Sequence, residues 1–278
     1  MMPVKARDTL ARFDPKFITD DDIADLASFT GMSTNDCLER VRNYSMDEMA
    51  RAWEIAHPTT PDEVMDFYRS TDLYVWELMQ WHSSPARTPY WDALLSFVER
   101  HPPSASFRRV FDFGCGIGTD ALFLAQQGYE VTAVDVDGPA FAFARHRLAR
   151  RGLNGRFQES TSETPKLDEE YDAAVCFDVF EHLSDPLAAA RSLVKGLGAK
   201  GVLVQQGSFG DDGVHPCHVR TGIERFAGLR WHIRLAGMGL RSEGSLCYVK
   251  CSGLDRWIQK ARYGLWCVTG FWLIREAD

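Results

Sequence analysis

The 278-residue chain has no uninterrupted apolar run near the roughly 20 residues that cross a bilayer. Its first residues, MMPVKARDTLARFDPKF, carry charges throughout and hold no apolar stretch of secretory-signal length. A membrane-spanning or exported protein is therefore not expected, and a cytoplasmic location is. Paired cysteine motifs are missing as well. The seven cysteines (Cys37, Cys115, Cys176, Cys217, Cys247, Cys251 and Cys267) are odd in number, scattered and never spaced C-x-x-C, the pattern of reduced thiols. Internal repeats and low-complexity tracts do not occur. Positive charge is in deficit, with a formal net charge of -8, whereas nucleic-acid binders concentrate Lys and Arg to displace phosphate counterions. The local exception, Arg145, His146, Arg147, Arg150 and Arg151, falls at the end of an expected helix, where cations complement the helix dipole and face water.

What is present suffices for a sizeable core: 45% of residues are hydrophobic, enough for one or two compact units. Up to about residue 105 the pattern is helical only, with helices expected near 20–29, 34–43, 46–56, 61–81 and 89–101. Ser45 with Glu48 and Thr60 with Glu63 have capping-box spacing, Pro61 follows at the first helical position, and Thr88-Pro89 opens a further helix. The turn-rich stretch HPPSAS, 101–106, marks the boundary between a helical cap, 1–105, and a second region, 106–278.

Beyond that boundary the β-rich runs RRVFDF, YEVTAVDV, GRFQ, DAAVCFDV and KGVLVQQ alternate with the helical runs TDALFLAQQ, PAFAFARHRLARR and PLAAARSLVKGL. That alternation predicts right-handed βαβ units and a parallel sheet. SLCYVKCS (245–252) and GLWCVTGFWLIRE (264–276) are expected as two further strands forming an antiparallel edge.

In VFDFGCGIGTD a strand runs directly into Gly114, Gly116 and Gly118 and then into a helix closed by Gly128. Alternate glycines let the loop turn tightly, let a ligand lie on bare backbone, and lead to a helix start with free N–H groups. A nucleoside-like ligand fits such a loop, although nicotinamide and flavin sites also use one. Asp112, two residues before the first glycine, would repel a pyrophosphate but attract an ammonium or an ordered water. Asp135 ends the second strand, where an acid bonds ribose hydroxyls in open α/β sheets.

Taken together, VFDFGCGIGTD, VTAVDVD and FDVFEHLSDP resemble the class I methyltransferases dependent on S-adenosylmethionine (SAM), especially their small-molecule members. The resemblance spans Arg108 to about Gln206. It implies a Rossmann-like α/β three-layer sandwich with a mostly parallel seven-stranded sheet, preceded here by an all-helical cap. It further implies that Asp112, Gly114, Cys115 and Gly116 line the methionine part of SAM, that Asp135 holds the ribose, and that Val136 lies beside the adenine. Phe177 and Asp178 would close over the methionine side, with His182 facing the reaction chamber. Many relatives place an Asp after strand three against the adenine amino group; here the segment reads FQESTSETP, leaving Glu159, Ser160 or Thr161 as substitutes.

Methyl transfer from a sulfonium is an in-line displacement that needs alignment and a deprotonated nucleophile, so no single side chain is obligatory. Candidate bases are His182 and, in GVHPCHVRT after the fifth strand, His215 and His218. Against them stand a turn role for His182 and loop anchoring for the other two. A metal held by His215, Cys217 and His218 is not expected, because three ligands so close in one loop suit a tetrahedral site poorly and no distant partner is evident. The helical region carries Phe67, Tyr68, Tyr74, Trp76, Trp81, Tyr90 and Trp91. These rings either pack the helices or, as Tyr68 or Tyr74, cover the sulfonium by cation–π attraction while excluding water. The leading expectation is a methyltransferase acting on a small molecule. A rival use of SAM cyclises it or transfers its aminocarboxypropyl group, releasing methylthioadenosine; a nicotinamide oxidoreductase and a non-catalytic SAM binder are more distant rivals. The acceptor and the oligomeric state are not encoded in any motif.

Overall fold

The computed structural model describes residues 18–209, 215–219, 225–244 and 246–269. Among these, the chain opens with α1 (Asp20–Thr30), α2 (Thr34–Asn43), α3 (Met46–Ala56), α4 (Pro61–Ser70) and α5 (Leu73–His82). The Ser45/Glu48 and Thr60/Glu63 capping boxes both form, and Thr19 with Asp22 makes a third. The single helix expected over 61–81 is two. Thr71 is extended (φ -88°, ψ 133°), and its Oγ1 accepts from Leu73 N at 3.2 Å, which replaces a helical bond and turns the chain. A 3-10 turn, Pro85–Arg87, leads into α6 (Thr88–Arg100).

The strands and helices then alternate: β1 (Arg109–Phe113), α7 (Thr119–Gln126), β2 (Glu130–Asp135), α8 (Pro139–Arg150), β3 (Arg156–Glu159), β4 (Tyr171–Phe177), α9 (Pro186–Gly196) and β5 (Leu197–Gln206). After them come α10 (Leu229–Gly237), β6 (Leu240–Ser242), β7 (Cys247–Lys250) and α11 (Gly253–Thr269). The seven strands form one sheet in the order β3-β2-β1-β4-β5-β7-β6. β1 to β5 pair in parallel, and β7 is antiparallel to both β5 and β6. Helices cover both faces, giving the expected Rossmann-like three-layer sandwich. One face buries Phe111, Ala189, Leu193 and Trp231; the other buries Leu94, Phe97, Ala121, Leu124 and Phe141.

The C-terminal expectation needs correction. Cys247–Lys250 is a strand, but residues 264–269 belong to α11, while 245 and 270–276 lie outside the described residues. The partner of β7 is Leu240–Ser242. Helix wins over strand because Tyr263 and Trp266, three residues apart, must share a face: Arg234 of α10 lies over both rings, 5.8 Å and 5.4 Å from their centroids.

The helical region is not set apart at residue 105. Tyr90, Ala93, Leu94 and Phe97 of α6 share a core with β1, β4 and β5, so the layer laid over the rest of the molecule ends with α5. That layer is fastened by the basic run that was expected to face water. Arg147 is 2% exposed and Asp25 of α1 is 0% exposed. Arg147 Nη2 donates to Asp22 at 2.7 Å, Arg150 Nη1 to Asp25 at 2.8 Å, and Arg151 Nη2 to Asp25 at 2.6 Å. Burial raises the Asp22 pKa, but Arg147, the hydrogen bonds from Thr19 and Arg151 together outweigh it and hold that carboxyl below its ordinary value. Phe143 of α8 and Ile117 of the β1–α7 loop join Leu26, Val41, Val75 and Trp76 in a separate apolar cluster beneath. Asp25→Asn leaves Asp22 to face the Arg147 and Arg151 guanidiniums by itself in this clamp, and is expected to lower unfolding free energy by about 3 kcal/mol. Urea unfolding checks this; an unchanged midpoint would mean the clamp contributes nothing.

Candidate active site

The strand order reverses at β1, whose neighbours are β2 and β4, so their C-terminal ends open a crevice. Gly114, Gly116 and Gly118 follow β1 there with φ of 74°, 52° and 73°, a region that side chains other than glycine enter at a cost. Space demands glycine too: a Cβ on Gly114 would stand 2.2 Å from Val179 Cγ2, and one on Gly116 would stand 2.6 Å from Leu78 Cδ1. Over this loop, beneath α4 and α5, lies a cavity of about 310 Å³.

Gly114, Cys115, Gly116, Asp135, Val136, Phe177 and Asp178 all line it, as do Tyr74, His182 and His218. His215 and Tyr68 line it as well, and of Glu159, Ser160 and Thr161 only Ser160 does. Asp112, expected in the wall, lies below it at 2% exposure; its Oδ2 has no hydrogen-bond partner among the described residues. Burial, then the neighbouring Asp120 and Asp135, pushes its carboxyl well above the usual range. Asp135 accepts from Gly116 N at 2.6 Å and from Val136 N at 2.7 Å, holding the loop against the end of β2. Asp178 takes Tyr90 Oη–H at 2.7 Å, Ser208 Oγ–H at 3.1 Å and Trp81 Nε1–H at 3.2 Å, so its carboxylate fixes the wall.

At the far end of the cavity the groups are aromatic, imidazole and thiol. Tyr68 and Tyr74 stand with ring centroids 5.1 Å apart. Tyr74 Oη lies 3.1 Å from Cys217 Sγ, and His182 Nδ1 lies 3.3 Å from both Tyr68 Oη and the Cys217 carbonyl. The His182 and His218 rings meet edge to face at 4.9 Å. Burial, reinforced by Cys217, holds both phenols far above their ordinary pKa, and burial first pushes the Cys217 thiol up to about 12. Tyr74 is therefore a neutral ring and hydrogen-bond donor, not a base. Glu77 of α5 also lines this end, its carboxyl raised by burial while Tyr44 Oη donates to it at 3.1 Å.

Two wall groups were not singled out in the sequence, although Glu181 lies within FDVFEHLSDP. Arg87 is 2% exposed, and its Nη2 donates to both oxygens of Asp120, at 2.7 Å and 2.6 Å. Glu181, 1% exposed, accepts from Ser208 N at 3.0 Å. Both act through partners distant in sequence, which no spacing rule reveals.

Residues 110–201 match the model of a family described as a methyltransferase domain. The chain is 28% identical over 121 residues to a ubiquinone biosynthesis O-methyltransferase of Rickettsia bellii, covering 44% of this chain and 49% of that protein. It is 31% identical over 103 residues to the protein of the same name from Aliivibrio fischeri, covering 36% of this chain and 44% of that one. The chain thus spans about half the length of the curated relatives it matches. Among solved structures it is similar to CalS10, an amino pentose methyltransferase of Micromonospora echinaspora, at 25% identity, 42% and 50% coverage of this chain and that one, and a TM-score of 0.36.

Asp135 supplies a test of the loop's electrostatics. Burial raises its pKa to about 6, against the pull of its two N–H donors. An acid raised above its unfolded value stabilises the fold when protonated; that contribution is full below about pH 4 and is lost as pH rises through about 6. Relative to Asp135→Asn, the natural chain is expected to lose about 2 kcal/mol of stability between pH 4.5 and 7. Paired urea titrations at the two pH values measure the difference, and parallel behaviour of the two chains would refute it.

Proposed function

Residues 110–201 make the chain a member of the class I SAM-dependent methyltransferase family, and from that premise we propose that it methylates a small-molecule acceptor held between the glycine loop and helices α4 and α5. The observation that carries the reading is that one cavity joins the loop to two imidazoles, His182 and His218. The wall fits the cofactor. Gly116 presents bare backbone, Asp135 ends β2 at the cavity edge with carboxylate oxygens for ribose hydroxyls, and Val136 and Ser160 follow for the adenine. Asp112 Oδ2 is the buried acceptor available to an ammonium or a bound water.

When bound, SAM supplies a methyl group on a sulfonium. The chain aligns the partners and handles the proton. Tyr68 and Tyr74 offer ring faces and neutral O–H groups that exclude water from the reacting centre. The His182 tautomer that donates Nδ1–H to the Cys217 carbonyl keeps its lone pair on Nε2, able to take the acceptor's proton. Helices α1 to α5 serve as the substrate cap. No described helix is long and apolar enough to cross a membrane. The net charge of -8 supports a small molecule, not nucleic acid, as acceptor, and a cytoplasmic location is part of the proposal.

Calorimetry is expected to show SAM and S-adenosylhomocysteine binding, and absence of both would end the reading. Gly116→Arg is expected to weaken SAM binding by at least about 100-fold with helix content retained, since its Cβ already meets Leu78; unaltered affinity in a folded variant would show the loop misread. His182→Ala is expected to slow turnover by about 10²-fold or more while SAM affinity holds; unchanged turnover would leave His182 a turn residue. S-adenosylhomocysteine is the expected product, and methylthioadenosine in its place would overturn methyl transfer.

A further inference from the structure

Glu181 and His182 lie in the turn Phe180–His182 after β4, and His218 lies in the segment 215–219 after β5. The backbone ties the two together: Val219 N donates to the Glu181 carbonyl at 2.8 Å, and His182 Nδ1 stands 3.3 Å from the Cys217 carbonyl. One ligand atom each from Glu181, His182 and His218 falls within 4.8 Å of the other two, and all three residues line the cavity. We propose that these three side chains bind a first-row divalent cation at the acceptor end of the cavity, with open coordination positions for an acceptor oxygen.

The donor chemistry favours it. Two imidazoles and a carboxylate suit zinc, iron, cobalt or manganese, whereas magnesium and calcium prefer oxygen alone. Metal–nitrogen bonds of about 2.0–2.1 Å place tetrahedral donors about 3.3 Å apart, so the set contracts on binding. Its outer partners are those that hold ligands in position. Ser208 N anchors one oxygen of Glu181 at 3.0 Å, and the His182 tautomer that donates Nδ1–H to the Cys217 carbonyl offers the Nε2 lone pair to a cation. The local trio His215, Cys217 and His218 lacked a distant partner in the sequence. The fold brings two, Glu181 and His182, and turns the Cys217 thiol away to Tyr74 Oη at 3.1 Å.

The site's role rests on the methyl-transfer reading; its occupancy does not. An acceptor hydroxyl bound to the cation releases its proton to water, and the resulting oxygen bonds to the methyl carbon. The carbon–sulfur bond breaks with its electron pair on sulfur. His182 is then a ligand, and the cation takes over the deprotonating work of its free imidazole.

The test is titration of chelator-treated, SAM-free full-length protein with zinc chloride by calorimetry, and with cobalt chloride by visible absorption. One equivalent per chain and cobalt bands of a nitrogen-ligated ion are expected. His218→Ala and Glu181→Gln are each expected to weaken zinc binding by at least about 100-fold while SAM affinity stays within about 3-fold. Circular dichroism checks that both variants fold, and His218→Ala, lying in a loop, serves if Glu181→Gln does not. No saturable uptake, or isotherms of the natural chain and the His218→Ala variant that coincide, would overturn the site and assign any uptake to thiols such as the exposed Cys267. Zinc binding that depends on His218 in a protein that fails to bind SAM would keep the cation and remove the methyl-transfer reading.

Discussion

The buried Arg87 guanidinium meets the Asp120 carboxylate with both oxygens within 2.7 Å, directly beneath the glycine loop. Around the same strand ends stand Asp112, Asp135 and Asp178, and carboxylates withdrawn from water are costly unless paired or protonated. Arg87 lies over the Tyr90 ring at 5.0 Å and the Phe177 ring at 5.8 Å, so its charge is shared with the aromatic wall as well as with Asp120. Its position in the chain gives this pair its reach. It sits in the 3-10 turn between α5, which carries Tyr74, Glu77, Leu78 and Trp81 into the cavity, and α6, which packs on the sheet. Breaking a buried pair by removing one member costs about 3–5 kcal/mol. This ion pair therefore ties loop, roof and floor together at one end.

A second set of charges fixes the other end of the roof. Asp22 and Asp25 of α1 reach across to Arg147 of α8 and to Arg151 at its C-cap, and Arg147 also donates to the Ile117 carbonyl in the loop at 2.9 Å. The glycines complete the fit. A Cβ at Gly116 would strike Leu78 of α5, and one at Gly138 would lie 2.5 Å from the Tyr68 carbonyl of α4. These glycines are thus small for two reasons, the cavity they line and the helices above. Whatever rests on Gly116 rests under Leu78.

Features set by local chemistry were legible in the sequence. The capping boxes at Ser45 and Thr60, the strand-to-loop run ending in Gly114–Gly118, and Asp135 at the end of β2 each follow from neighbours a few residues apart. All but one of the wall residues inferred from those motifs line the cavity, and Asp112 lies just beneath it. What was not legible depends on partners far along the chain. The run around Arg147 reads as a solvated helix end until Asp25 is brought against it. Arg87 reads as a loop cation until Asp120 covers it. Residues 264–269 have strand-like composition, and their helix packs on α10, where Arg234 lies over Tyr263 and Trp266. Glu181 and His218 have no common motif and meet through the backbone bond from Val219.

The two ends of the cavity differ in the groups they would set against a sulfonium, and that difference bears on how a cationic cofactor would react there. Asp112 and Asp135 gather under the loop, held above their ordinary pKa by burial, while the far end presents neutral phenols and the neutral thiol of Cys217 beside the buried carboxyls of Glu77 and Glu181. Methyl transfer converts a sulfonium to a neutral thioether. A carboxylate against the sulfur would stabilise the starting cation more than the transition state and slow the reaction. On the proposed reading Asp112 and Asp135 serve the ammonium and the ribose, which keep their charge and polarity throughout. The sulfur is left to ring faces, whose attraction for a cation is only about 0.5–2 kcal/mol. Attraction of that size orients the methyl group without opposing the loss of charge that follows, so the placement of Tyr68 and Tyr74 on the roof favours turnover over tight retention of the cofactor.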